Sequence, residues 1–103
     1  MLPLIEAHRP EIAEICQRFH VQRLDVFGSA ARVTDFDPAR SDVDLLVTYD
    51  PAVPAPDMTQ YFDLSEQLSV LFGYKVDLVM SEAVRNPIVR ADIDRWKQPL
   101  YAA

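Results

Sequence analysis

Ile5, Ile12, Ile15, Cys16 and Phe19 recur at the spacing of one helical face and predict a first helix over residues 3–19. Pro3 suits its first turn, whereas Pro10 lies inside the pattern and predicts a kink or a broken pair of helices near Arg9. The period then shortens from 3.6 to two. Leu24 to Phe27 reads as a first strand, closed by a Gly28-Ser29 turn into a short helical segment around Ala30 to Arg32. Thr34 to Arg40 is a polar loop. Asp42 to Thr48 reads as a second strand, with Val43, Leu45 and Val47 on one face and Asp42 and Asp44 together on the other.

A Pro-rich loop from Asp50 to Pro56 leads to the best-marked helix. Asp57 and Gln60 form a capping-box pattern, and Met58, Tyr61, Phe62, Leu68, Leu71 and Phe72 recur at helical spacing. Gly73 stands where a left-handed C-terminal residue is wanted. Tyr74 to Met80 alternates as a third strand, with Lys75, Asp77 and Val79 opposite Tyr74, Val76, Leu78 and Met80. Asn86-Pro87 supplies an N-cap and first helical position for a helix with Val89, Ile93 and Trp96 on one face, and Pro99 to Tyr101 suggests a short edge strand. Helices alternating with strands predict a small α/β or α+β domain, a mixed sheet flanked by helices, in one domain over residues 1–103.

Composition narrows the function. The formal charge of −6 argues against a chain that tracks a nucleic-acid backbone directly, which needs a basic stripe. Between Ser41 and Tyr74 there is no Lys or Arg, while Asp42, Asp44, Asp50, Asp57, Asp63 and Glu66 all fall there. That middle suits divalent cations or a basic protein partner, and a solvated acidic face explains Asp57, Asp63 and Glu66 equally well. Cys16, alone on an apolar helical pattern, excludes a disulfide framework and reads as a buried structural thiol. The longest uncharged run, Gln67 to Tyr74, is far too short to span a bilayer, so no membrane association and a cytoplasmic location are expected.

The chain holds three D-x-D triplets. Asp35-Phe36-Asp37 lies in a loop, and Asp92-Ile93-Asp94 on a predicted helix, where residues two apart point away from each other. Only Asp42-Val43-Asp44 sits on a strand that aims both carboxylates at one point. Two carboxylates about 4 Å apart repel by roughly 4 kcal/mol at an effective dielectric of about 20, and a divalent cation with oxygen ligands relieves that. Asp77 offers a third strand acid, with Glu82 and Asp50 as substitutes. Gly28-Ser29 suits phosphate, because glycine lets the backbone come close and the amides and hydroxyl donate; an ordinary strand-to-helix turn is the alternative.

Gly28-Ser29-Ala30-Ala31-Arg32, followed by Ser41-Asp42-Val43-Asp44-Leu45, resembles the signature of the minimal nucleotidyltransferases (MNT), short members of the DNA polymerase beta-like superfamily. Nearly the whole chain follows that family's order of elements. The resemblance implies a polymerase beta-like palm fold and an enzyme that uses ATP. It implies two Mg²⁺ ions on Asp42, Asp44 and Asp77, nucleotide binding by Gly28, Ser29, Arg32 and Ser41, and attack of a hydroxyl on the α-phosphorus with release of pyrophosphate. Two departures stand out: Val33 replaces the family's usual glycine, and the spacer to Ser41 runs about two residues longer than is commonest. Arg40 is a second cation within reach of phosphate, or a solvated loop residue.

Short members of this family typically pair with a HEPN-domain RNase toxin, which they neutralise by adenylylating a tyrosine or by binding. The resemblance therefore implies an antitoxin in a hetero-oligomer with that toxin, and its alternative is a catalytically weak antitoxin that works by binding alone. Transfer to a small molecule, as in aminoglycoside nucleotidyltransferases, requires an acceptor domain that these residues do not supply. Trp96, Leu100 and Tyr101 are expected in the core or at a sheet edge, with docking to the partner as the other reading.

Overall fold

The computed structural model describes residues 1–103. The first helical stretch is two helices, α1 (Pro3–Ala7) and α2 (Arg9–Arg18), broken at His8 just before Pro10, as the missing N–H and ring bulk of proline demand. Ile5, Ile12, Ile15 and Cys16 are all buried. Burial pushes the Cys16 thiol up to about 12, so it stays protonated and acts as a small apolar group.

Strand β1 (Val21–Phe27) starts three residues earlier than the alternation predicts, because a register irregularity between Val21 and Arg23 breaks the period there. The short helix α3 (Gly28–Arg32) follows without a linker. Strand β2 (Val43–Tyr49) begins one residue after Asp42. Helix α4 (Met58–Phe72) has the predicted ends: Asp57 accepts from the Gln60 amide at 2.8 Å, Gln60 answers at the Asp57 amide at 3.0 Å, and Gly73 adopts φ 73°. Strand β3 (Val76–Met80), a 3₁₀ turn (Ser81–Ala83), helix α5 (Pro87–Trp96, capped by Asn86) and strand β4 (Gln98–Ala102) complete the chain. Of the apolar residues expected along one face of α5, only Ile93 is buried; Val89 and Trp96 are exposed.

The four strands form one mixed sheet in the order β3-β2-β1-β4, with β1 antiparallel to β2 and β4 and β2 parallel to β3. A parallel neighbour needs a crossover, and α4 supplies it. Val43, Leu45, Val47, Leu24, Val26, Val76 and Leu78 share the main core cluster with Ile12 and Ile15 of α2 and Leu64, Leu68 and Phe72 of α4. Leu100 is buried in that core and Tyr101 packs against it, so of the C-terminal trio only Trp96 is exposed. The intervening strand residues face the other way. Register places Phe27 beside Asp44, Asp44 beside Asp77, and Asp25 beside Leu46 on that second face.

Candidate active site

The site is built where β1 ends beside the start of β2. Gly28 takes φ 67°, and a Cβ built on it would run into Asp44 Oδ2, so glycine is required both by the turn and by the carboxylate pressed against it. Ala30 and Ala31 are buried and anchor α3, which holds the Gly28-Ser29 turn against the acidic strand.

The parallel register sets Asp77 directly beside Asp44, and Asp42 stands one residue before β2. Asp44 is half-buried and its carboxyl is pushed up to about 6, mainly by desolvation and then by the negative charges of Asp77 and Asp42, with Arg32 opposing. It carries the electrostatic strain of the set. The three acids nevertheless do not close into one cluster, since no three acidic, His or Cys side chains stand together at ion-holding separation. Asp42 leans toward Lys75 Nζ at 4.0 Å, and Asp77 is exposed on the edge strand. All three offer hard oxygen donors, the set that suits Mg²⁺, and Asp44 is the group whose ionisation a cation would favour.

The other expected contributors divide. Arg32 is tied to Asp35 through Nε at 3.0 Å and Nη2 at 2.9 Å, while Asp92 and Asp44 act on it at longer range. Ser41 closes its own loop: its hydroxyl accepts from the Asp37 amide at 2.9 Å and its amide donates to the Asp37 carbonyl at 2.8 Å. Arg40 is fully solvated, 3.9 Å from Asp37. Asp50 follows the far end of β2 and caps the next turn through the Ala52 amide, and Glu82 lies in the 3₁₀ turn beyond β3. Both therefore stand at the opposite end of the sheet from Asp44. A cavity of about 260 Å³ lined by Gln22, Thr48, Tyr49 and Glu82 lies at that same distant end.

A family model described as polymerase beta, nucleotidyltransferase matches residues 10–102. The chain belongs to this nucleotidyltransferase family. The protein adenylyltransferase MntA of Thermococcus cleftensis is 34% identical over 87 residues, covering 84% of this chain and 80% of the relative. A Methanocaldococcus jannaschii protein, MJ0128, named for the same activity, is 36% identical over 78 residues, 76% of this chain and 74% of its own. Among solved structures, one described as a minimal nucleotidyltransferase superposes with a TM-score of 0.70 at 32% identity, covering 91% of this chain and 90% of that one. A toxin–antitoxin structure with AMP-PNP shares the fold at a TM-score of 0.68 and 18% identity, covering 92% and 73%. The chain is thus a nucleotidyltransferase domain of the minimal kind, with the mixed sheet and flanking helices of the polymerase beta-like fold.

Three features of this nucleotidyltransferase were not visible as periodicity. Val33 adopts a positive φ of 68°, a conformation that costs a β-branched residue on the order of 1–3 kcal/mol. Asp35 belongs to the Arg32 environment although its triplet lies in a loop. Asp25 is fully buried on the acidic face, with both oxygens accepting from Arg23 Nε at 2.9 and 3.0 Å. An Arg and an Asp two apart on one strand share a face, and that spacing was the available signal for the pair.

Proposed function

We propose that this nucleotidyltransferase transfers AMP from ATP to a tyrosine of a HEPN-domain RNase toxin, with two Mg²⁺ ions held by Asp42, Asp44 and Asp77, and so acts as its antitoxin in a hetero-oligomer. The observation that carries the reading is the parallel register that sets Asp77 beside Asp44 while Gly28 packs on the same Asp44 carboxylate. One end of the sheet then offers a phosphate-accepting turn and an oxygen-donor set within one molecule of ATP. Support also comes from the relatives named protein adenylyltransferase and from a structure of the same fold described as a tri-AMPylated Shewanella oneidensis HEPN toxin in complex with MNT antitoxin, at a TM-score of 0.65.

In this reading Gly28 and Ser29 bind the triphosphate, Arg32 neutralises it, and Ser41 fixes the loop that carries Asp42. Bound Mg²⁺ would screen the phosphate charge and acidify the attacking hydroxyl. Asp77, the exposed member of the set, serves the acceptor side, where the phenol oxygen gives its proton to solvent, bonds to the α-phosphorus and displaces pyrophosphate as the Pα–O bond to it breaks. The partner supplies the acceptor, which suits a single domain whose acidic middle carries no cation. A cytoplasmic setting fits the ATP requirement, and no helix is long and apolar enough to cross a membrane.

A second reading, neutralisation by binding alone, is favoured by the strained Val33 and by acids that do not close into one cluster. Intact-mass measurement of the co-expressed HEPN protein separates the two. Added AMP units that vanish with Asp42→Ala and Asp44→Ala support transfer, whereas a tight complex with an unmodified partner overturns it.

A further inference from the structure

The loop after α3 is more than a spacer. Thr34 N–H donates to the Arg32 carbonyl at 2.8 Å around Val33, whose φ of 68° and ψ of −48° make this a three-residue γ-turn of the strained, positive-φ kind. Such a turn persists only when its surroundings over-determine it. Here both ends are pinned. Phe36 N–H donates to the Val33 carbonyl at 3.1 Å, and the Phe36 ring packs edge-on against Tyr74, with centroids 5.4 Å apart at 85°. Tyr74 in turn precedes β3, the strand that carries Asp77.

The reversal brings Asp35 back onto Arg32. A guanidinium has two edges that can grip a carboxylate or phosphate, one formed by Nε with Nη2 and one by the two Nη atoms. Asp35 takes the first, with contacts of 3.0, 3.3 and 2.9 Å. The second edge remains available, and Arg32 lies close enough to Asp44 for the charge of each to act on the other.

We infer that Asp35 is a positioning residue for the nucleotide: the strained turn at Val33 and the Asp35 carboxylate together hold Arg32 so that its outer edge meets the triphosphate beside Asp44. The inference rests on ATP being the substrate. It also gives the strained turn a purpose, because a conformation that glycine would permit freely is enforced at Val33 by the Phe36–Tyr74 contact and the Arg32–Asp35 pair. Asp35 is thus a negative charge that strengthens binding of an anion, the reverse of what its charge alone predicts.

That reversal of sign makes the test decisive. Titration calorimetry of the whole chain with Mg²⁺ and AMP-PNP is expected to show binding weakened about fivefold by Asp35→Ala, the cost of re-ordering a freed arginine on binding. In an Arg32→Ala background the same change is expected to have no effect. A thermal melt confirms folding, and Asp35 is exposed enough for the variant to be tolerated. Equal or tighter binding by Asp35→Ala, or a full fivefold loss that persists without Arg32, overturns the inference while leaving the nucleotide reading intact. A wild-type chain that binds no Mg²⁺-AMP-PNP removes the nucleotide reading and this inference with it.

Discussion

The two faces of β2 are made from alternate residues of one short strand and do opposite work. Val43, Leu45 and Val47 are buried in the main core, where each adds stability. Asp44, on the other face, is half-buried beside two like charges and costs stability, as its carboxyl raised to about 6 shows. The lesson is that stability and chemistry are divided here by the parity of sequence position, so substitutions on the two faces should separate cleanly in what they damage.

The largest effect tests the acidic face. Asp44→Asn is expected to lower AMP transfer by about a thousandfold or more, read by intact mass of the partner over time, because it removes an oxygen donor from the centre of the set. Loss of the folded state in this variant would break the comparison. On the core face, Leu45→Ala should cost about 2–5 kcal/mol in urea unfolding, with transfer per folded molecule unchanged, since Leu45 is completely buried. Gly28→Ala crosses the divide. It should cost about 1–3 kcal/mol and displace Asp44, reducing both stability and transfer, because a methyl group there meets the carboxylate while the backbone sits at φ 67°.

Smaller effects sharpen the picture. The folded-state carboxyl of Asp44 is raised above its unfolded value, so the folded chain binds a proton that the unfolded chain does not between the ordinary aspartate range and about pH 6. Stability from this group is therefore lost as pH rises through that window. Asp44→Asn should gain on the order of 1 kcal/mol at pH 7.5 without divalent ions, discounted for partial solvent access, and nothing near pH 4. Urea melts at the two pH values check it. Smallest of all, Tyr49→Phe should be neutral or stabilising by less than about 1 kcal/mol in the same assay, because the buried Tyr49 hydroxyl has no hydrogen-bond partner.

Much of this arrangement is legible in the chain because local and tertiary signals agree. Helix α4 announces both ends through Asp57, Gln60 and Gly73, and the alternation around Val43 and Leu45 matches the observed faces. What escapes sequence reading is set by contacts between distant or irregular segments. The early start of β1 comes from a register irregularity at Val21 and Arg23, which period-two counting cannot see. Alternation puts Asp42 and Asp44 on one face only if the strand includes both, whereas β2 starts at Val43 and Asp42 turns to Lys75, which periodicity does not encode. The Arg32–Asp35 pair follows from the reversal at Val33, and valine gives no local hint of a positive φ.

The β2–β3 ladder has a consequence for the order of events in the cell. Asp77 meets Asp44 only once α4 has carried the chain back across the sheet, a long-range closure that belongs among the slower steps of folding. A chain still emerging from the ribosome holds its first two acids without the third. In the mechanism proposed above, competence therefore waits on the closure of this ladder.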